Sequence, residues 1–187
     1  MKLPQIKTVR LTKSYIAPSF NTNREAVYPL LVLSAYLGEG ETSKLYKKLV
    51  LEEKNALGVS VAYDFASRSY GGFSISAMPK EDVDAKAFET ALDKAVKEAL
   101  AEISVEEIEK TKGKMLAGQV YLRDNPNDAA YIAGSMAAVG MSVEDIENHA
   151  DNIRKVSAGD VRKAAEKLFG HAINVTGVIK PEKEEGW

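Results

Sequence analysis

Apolar and polar residues alternate over residues 8–18, where Val9, Leu11, Tyr15 and Ile16 interrupt a basic and hydroxylated background. A period of two sends neighbouring side chains to opposite faces, so this stretch predicts an opening strand. The period then lengthens. Leu30, Leu31, Leu33, Ala35 and Leu37 fall at helical spacing, with Asn21 or Asn23 available as a cap. Pro29 lies near the first turn, where a missing N–H costs little. The helix is expected to stop at Gly38-Glu39-Gly40, because glycines adopt the left-handed conformation that ends helices. Thr42 or Ser43 then caps a second helix, with Leu45, Tyr46, Leu49 and Val50 on one side and Lys44, Lys47 and Lys48 on another. Alternation returns over 59–67 and again over 73–78, joined by a tight turn at Ser69-Tyr70-Gly71-Gly72 and closed by Pro79, which reads as a hairpin.

Helical periodicity dominates the chain beyond Pro79. Phe88, Leu92, Ala95, Val96 and Ala99 mark a helix over 84–103. Ser104-Val-Glu-Glu107 is a capping box that opens a long helix through Ile108, Met115, Leu116, Val120 and Leu122. Asn125-Pro126 begins another, rich in alanine, that ends near Gly140; Ser142 and Ser157 each precede an aspartate by three residues and mark further N-termini. The last of these helices ends near Gly170, and an apolar strand over 172–179 comes after it. Strands early and late with helices between them predict an α+β sandwich, one mostly antiparallel or mixed sheet covered by helices. The whole chain, 1–187, reads as one domain, with a linker over 1–7 and a charged tail over 180–187.

Composition narrows the function classes. With 45% apolar residues in 187, the chain buries a core without staples. Its 25 basic and 27 acidic residues are spread along the length, a net charge of −2 that leaves no footprint for nucleic acid. Zero cysteines exclude disulfides and thiolate metal sites. The longest apolar stretch, 26–37, is too short to span a bilayer, and the first twenty residues hold four basic residues without an apolar core, so no signal peptide is predicted there.

Two segments carry a resemblance. Leu37-Gly-Glu-Gly-Glu-Thr-Ser-Lys-Leu-Tyr46 and Val50-Leu-Glu-Glu-Lys-Asn-Ala-Leu-Gly-Val-Ser-Val61 place a helix, a Gly-rich turn, a basic helix and a strand in succession. This order and spelling resemble the zinc metallopeptidases of the pitrilysin/insulinase type, which include the mitochondrial processing peptidases. The resemblance runs from Tyr15-Ile-Ala-Pro-Ser-Phe20 to Val175-Thr-Gly-Val-Ile179. It implies one processing-peptidase-like metallohydrolase half of a protein built from two similar halves.

In the metal-bearing half of that family an H-x-x-E-H helix supplies two histidines and a base. Here the two histidines, His149 and His171, are 22 residues apart, so the resemblance points to the half that carries no metal, with zinc in the other. Both read as surface histidines near helix ends. Many second halves also carry an arginine and, seven residues later, a tyrosine that help hold the substrate backbone. Alignment on Leu57-Gly58 puts Glu52 and Val59 at those positions, and neither can donate as a guanidinium or phenol does, so that role is not carried over. Nor is Gly38-Glu39-Gly40 a phosphate loop, since Lys44 follows Ser43 rather than a glycine. Glu106, Glu107, Glu109 and Lys110 form a charged run whose carboxylates, in the first turn after a capping serine, face a helix dipole, and Tyr121 reads as a core or boundary aromatic rather than a catalytic acid.

The resemblance therefore implies a non-catalytic half that closes the substrate chamber and helps to bind peptide, with no catalytic or metal residue of its own. Glu39, Ser43, Lys44 and Tyr46 are the candidate contacts to substrate or to the other half. The implied partners are a metal-bearing homologous half or subunit and a peptide substrate, without nucleic acid or a membrane span. The parent protein could be periplasmic or cytoplasmic in a bacterium. Two alternatives stay open: a stand-alone accessory subunit that partners a separate catalytic homologue, and an unrelated α+β binding module.

Overall fold

The alternation of Leu11, Tyr15 and Ala17 with polar neighbours builds β2 (Arg10–Ala17) of a five-stranded sheet. The computed structural model describes residues 2–3, 8–81, 83–123, 126–171 and 173–181. The other strands are β1 (Lys2–Leu3), β3 (Ala56–Asp64), β4 (Gly71–Pro79) and β5 (Asn174–Pro181). They lie in the order β1-β5-β2-β4-β3; β1 runs parallel to β5 and every other pair is antiparallel. Cross-strand partners such as Leu11 with Ala77 and Tyr15 with Phe73 share a face, and that face is buried.

Helices pack on it. They are α1 (Arg24–Gly38), α2 (Lys44–Tyr46), α3 (Ala85–Ala101), α4 (Val105–Arg123), α5 (Pro126–Ala138), α6 (Val143–Glu147), α7 (His149–Lys155) and α8 (Ala158–His171). Leu33 and Leu37 of α1, Phe88 and Leu92 of α3, Ile108 of α4 and Ile153 of α7 join Leu11, Phe73 and Ile75 in one buried cluster. Each such Leu or Phe contributes about 2 kcal/mol by leaving water. Polar ties hold α3 against the sheet, with Lys13 Nζ 2.6 Å from Asp93 and Thr176 Oγ1 donating to Glu89 at 2.8 Å. On the opposite face sit Thr12, Ser14, Ser74 and Ser76, the Thr12 and Ser76 hydroxyls 3.1 Å apart, with Ile16 exposed beside them. The architecture is the α+β arrangement expected from the pattern.

Local signals set most helix starts. Asp84 accepts from the Lys86 and Ala87 amides, and Ser104 Oγ accepts from the Glu107 amide. Ser142 with Asp145 forms a reciprocal box, and Ser157 with Asp160 repeats it. Bonds from backbone amides hold the Asp84 and Asp145 carboxyls below the usual carboxylate range, and the Ser157 hydroxyl, followed by its amide, does the same for Asp160.

Several expectations are corrected. Lys2–Leu3, read as linker, pair with Lys180 and Pro181, the first residues of the expected tail. The hairpin strand starts at Ala56 rather than residue 59, and a register shift between Ala56 and Gly58 hides its beginning from a period-two reading. Asn23 does cap α1, but its side chain makes no capping bond; Asn21 Nδ2 instead donates to the carbonyls of Ser67 and Val139. The helix ends on an extended Glu39 (φ −88°), not on a left-handed glycine. Gly38 is needed for space, since a Cβ there would lie 2.4 Å from the Val61 backbone nitrogen. Gly40 alone in the turn has a positive φ, +72°. Finally, α2 continues as a π-helical turn over Lys47–Glu52, in which the Glu53 amide reaches the Lys48 carbonyl five residues back. The boundary residues Asp124, Asn125 and Ala172 and the side chains of Tyr121 and His171 lie outside the described residues.

Candidate functional site

The extended Glu39 and left-handed Gly40 turn the chain away from the end of α1 and bring Thr42 and Ser43 back beside it. Ser43 is buried; its hydroxyl donates to the Gly40 carbonyl at 2.7 Å, so it builds the turn rather than facing solvent. Glu39 is exposed. Lys44, one residue beyond the turn, reaches Glu102 at 2.9 Å and Glu107 at 3.7 Å, and lies 5.7 Å over the Tyr36 ring. Glu39, Ser43 and Lys44 thus line one small cleft.

Its far wall is α4. Glu107, Lys110, Thr111 and Lys114 recur at one turn and two turns of that helix, and all four line the cleft. Lys114 Nζ donates to Thr42 Oγ1 at 2.5 Å, pinning the turn to α4. Lys110 and Glu107 belonged to the charged run recognised in the sequence, but Thr111 and Lys114 did not stand out there. The i, i+3, i+4, i+7 spacing was the signal that could have grouped them.

Tyr46 is not part of this arrangement. It lines a second cleft with Arg10, Gly58, Val59, Ser60 and Met78, at the bulged start of β3. Val59 is therefore found beside Tyr46, whereas Glu52 lies at the end of the π-helical turn, exposed and 3.8 Å from Lys48. Lys48 also reaches Glu98 at 3.1 Å; that hydrogen bond raises the lysine pKa and lowers that of Glu98. The Tyr36 phenol, which donates to the Ala99 carbonyl, is pushed up by burial and by Glu102 and Glu107, so it stays protonated.

His149 departs from its expected surface position. It is half-buried between Tyr28 (ring centroids 5.4 Å apart) and Phe65 (6.1 Å), and burial lowers its pKa. Its Nδ1 and the Tyr28 hydroxyl are both buried without a hydrogen-bond partner. Among the described residues no group of three or more His, Asp or Glu is placed to hold a metal ion, and an imidazole packed between two rings with no partner at Nδ1 does not fit a zinc site. No helix of the described residues is long and apolar enough to cross a membrane.

With this geometry in view, comparison with known proteins gives a consistent answer. A family profile described as the peptidase M16 inactive domain matches residues 1–115. Among solved structures, a protease from Helicobacter pylori superposes with a TM-score of 0.85 at 19% identity, over 97% of this chain and 43% of its own. A Bordetella pertussis protein assigned as a zinc protease gives 0.80 at 20% identity, over 97% of this chain and 98% of its own. The inactive peptidase domain of a protein from Bordetella parapertussis gives 0.79 at 19% identity, with both chains covered completely (100% each). At these identities the structures establish the fold, and this chain spans less than half the length of the Helicobacter protein. No curated protein sequence matches it. The profile covers more than half of the residues, and on that ground the chain belongs to the peptidase M16 family, as its inactive domain.

Proposed function

We propose that this chain is the non-catalytic half of a zinc-dependent metalloendopeptidase, closing the substrate chamber and helping to bind peptide while the metal-bearing half cleaves it. The match of residues 1–115 to an inactive peptidase domain carries this reading. Support comes from the Helicobacter protease, whose length leaves room for a second half beside the region that this chain matches. On this reading the turn-and-α4 cleft is a peptide-facing surface, in which Glu39 and Lys44 meet substrate or the other half. Ser43 shapes the turn, and Tyr46 acts from the neighbouring cleft. Zinc resides in the other half, and no step of hydrolysis is assigned to this chain.

The test is reconstitution. The chain is assayed alone and together with the metal-bearing half, using a quenched fluorescent peptide with and without chelator. The isolated chain should contain no stoichiometric zinc and cleave nothing, and the combination should show chelator-sensitive cleavage. Chelator-sensitive cleavage by a contaminant-free sample of the isolated chain would sink the proposal, as would a combination that never cleaves. Reading the native coding DNA upstream decides between one polypeptide and an accessory subunit with a separate catalytic homologue.

A further inference from the structure

Lys44 and Lys47 line both the cleft against α4 and a further recess against α3, where Lys48 joins them, and the charges of the two differ. On the α3 side, Lys48 meets Glu52, Glu53 and Glu98, and Lys44 meets Glu102. Both of these ammonium groups have carboxylate partners. On the α4 side the lining holds Lys44, Lys47, Lys110 and Lys114 against Glu39 and Glu107. Glu107 lies within reach of Lys44. Lys47 and Lys110 have no ion-pair partner among the described residues, and Lys114 bonds only to the uncharged Thr42 hydroxyl. Glu39 and its neighbour Glu41 are exposed carboxylates on the turn.

The C-terminus of α1 accounts for part of this positive charge. A helix end carries about half a negative charge, which Lys44, already on the turn, is placed to meet. With Lys44 meeting the dipole and Glu107, the three further ammonium groups of Lys47, Lys110 and Lys114 still outnumber the single remaining carboxylate of the lining, Glu39. Thr42, whose Oγ1 accepts from Lys114, keeps its own hydroxyl hydrogen to offer an oxyanion, whereas the Thr111 hydroxyl is committed to the Glu107 carbonyl at 2.8 Å; the recess is small, of side-chain size rather than that of a folded partner. We infer that this cleft is a subsite for acidic side chains of a bound peptide, with Lys47, Lys110 and Lys114 supplying the attraction. The inference rests on the proposed peptide-binding role and names the class of residue that the substrate presents there.

The test uses the full chain and two labelled peptides, one with a run of glutamates and the other with glutamines in their place, read by fluorescence anisotropy. Exposed charge pairs are individually weak, so the glutamate peptide should bind about fivefold more tightly at low salt. That preference should fade as salt rises. The double variant Lys47→Glu with Lys110→Glu alters two exposed side chains remote from the core, and it should abolish or reverse the preference. Lys110→Gln should reduce it part of the way. Equal affinity for the two peptides, binding of neither, or a preference untouched by the double variant overturns the inference. So does displacement by inorganic pyrophosphate in the absence of any glutamate preference, which would assign the cleft to a free anion. Failure here is distinct from failure of the proposed function. An assembled enzyme that cleaves both peptides equally, with no preference in binding, removes the acidic subsite and leaves the peptidase half standing.

Discussion

At its N-terminal end α1 enters a corner lined by rings, where Tyr28 faces His149 and His149 lies against Phe65. At its C-terminal end the same helix meets Lys44, Lys110 and Lys114 across an open recess beside a glycine turn. The first corner has polar atoms buried without partners, and the second has charges in excess of theirs. Near its N-terminus α1 is packed by rings on one side, next to a recess that Arg24, Glu25 and Asp145 share with Tyr28, whereas at its C-terminus lysines predominate. Ring packing holds α7 against α1, the Arg24–Asp145 ion pair ties α6 to it, and the C-terminal end leaves ionic groups free for something that arrives from solvent. Burial makes changes at the first end matter for folding, whereas at the second only the close approach to β3 does so.

The largest expected effect tests that exception. Gly38→Ala would push a methyl group into the Val61 backbone, and overpacking against backbone costs about 3 kcal/mol, read as a lower urea midpoint with unchanged slope. Gly40→Ala, two residues on, meets no atom within 4 Å and carries only the left-handed penalty, about 1 kcal/mol. Comparable losses at the two positions would break the distinction between space and conformation in this turn.

At the ring-lined corner the expected effects are smaller, and one depends on pH. Burial lowers the His149 pKa, so the folded chain binds fewer protons than the unfolded one between the folded pKa and about 6.5. Stability is full above that range and declines as pH falls through it. His149→Phe should flatten that part of the stability–pH curve, measured by urea unfolding across mildly acidic buffers. A curve that is equally steep in the variant would place the slope elsewhere. Tyr28→Phe removes a buried hydroxyl that has no partner, so it should raise stability by about 1 kcal/mol as that desolvation cost is relieved. A loss instead would mean that a water bridges the phenol to the histidine.

Features that depend on near neighbours in the chain were legible in the sequence. The Asp84, Ser104, Ser142 and Ser157 caps each satisfy amides two or three residues away, so spacing alone predicts them. The alternation of Leu11, Tyr15, Phe73 and Ile75 likewise announced the buried face. Illegible features depend on distant partners. Gly38 looks like any helix-ending glycine until Val61, 23 positions later, is brought against it. Lys112, two residues beyond the charged run, is buried and donates to the Arg154 and Val156 carbonyls at 2.8 Å each, capping the end of α7. In the candidate site, the turn residues were singled out from their spelling. The α4 wall opposite them arrives only through tertiary packing, as does the separation of Tyr46 from the other three.

The wide turn at Lys47–Glu52 holds one residue more than an α-helix would use to cover the same path. Chain length therefore carries information at this point. Deleting a single residue, such as Val50, would let ordinary helical bonding resume and rotate α2 by about 100° relative to β3. The strand would then either slip by one residue, turning Gly58, Ser60 and Ala62 toward the core in place of Val59, Val61 and Tyr63, or pull α2 away from Gly40. In a segment where most surface substitutions are tolerated, insertions and deletions are the changes that selection would be expected to remove first.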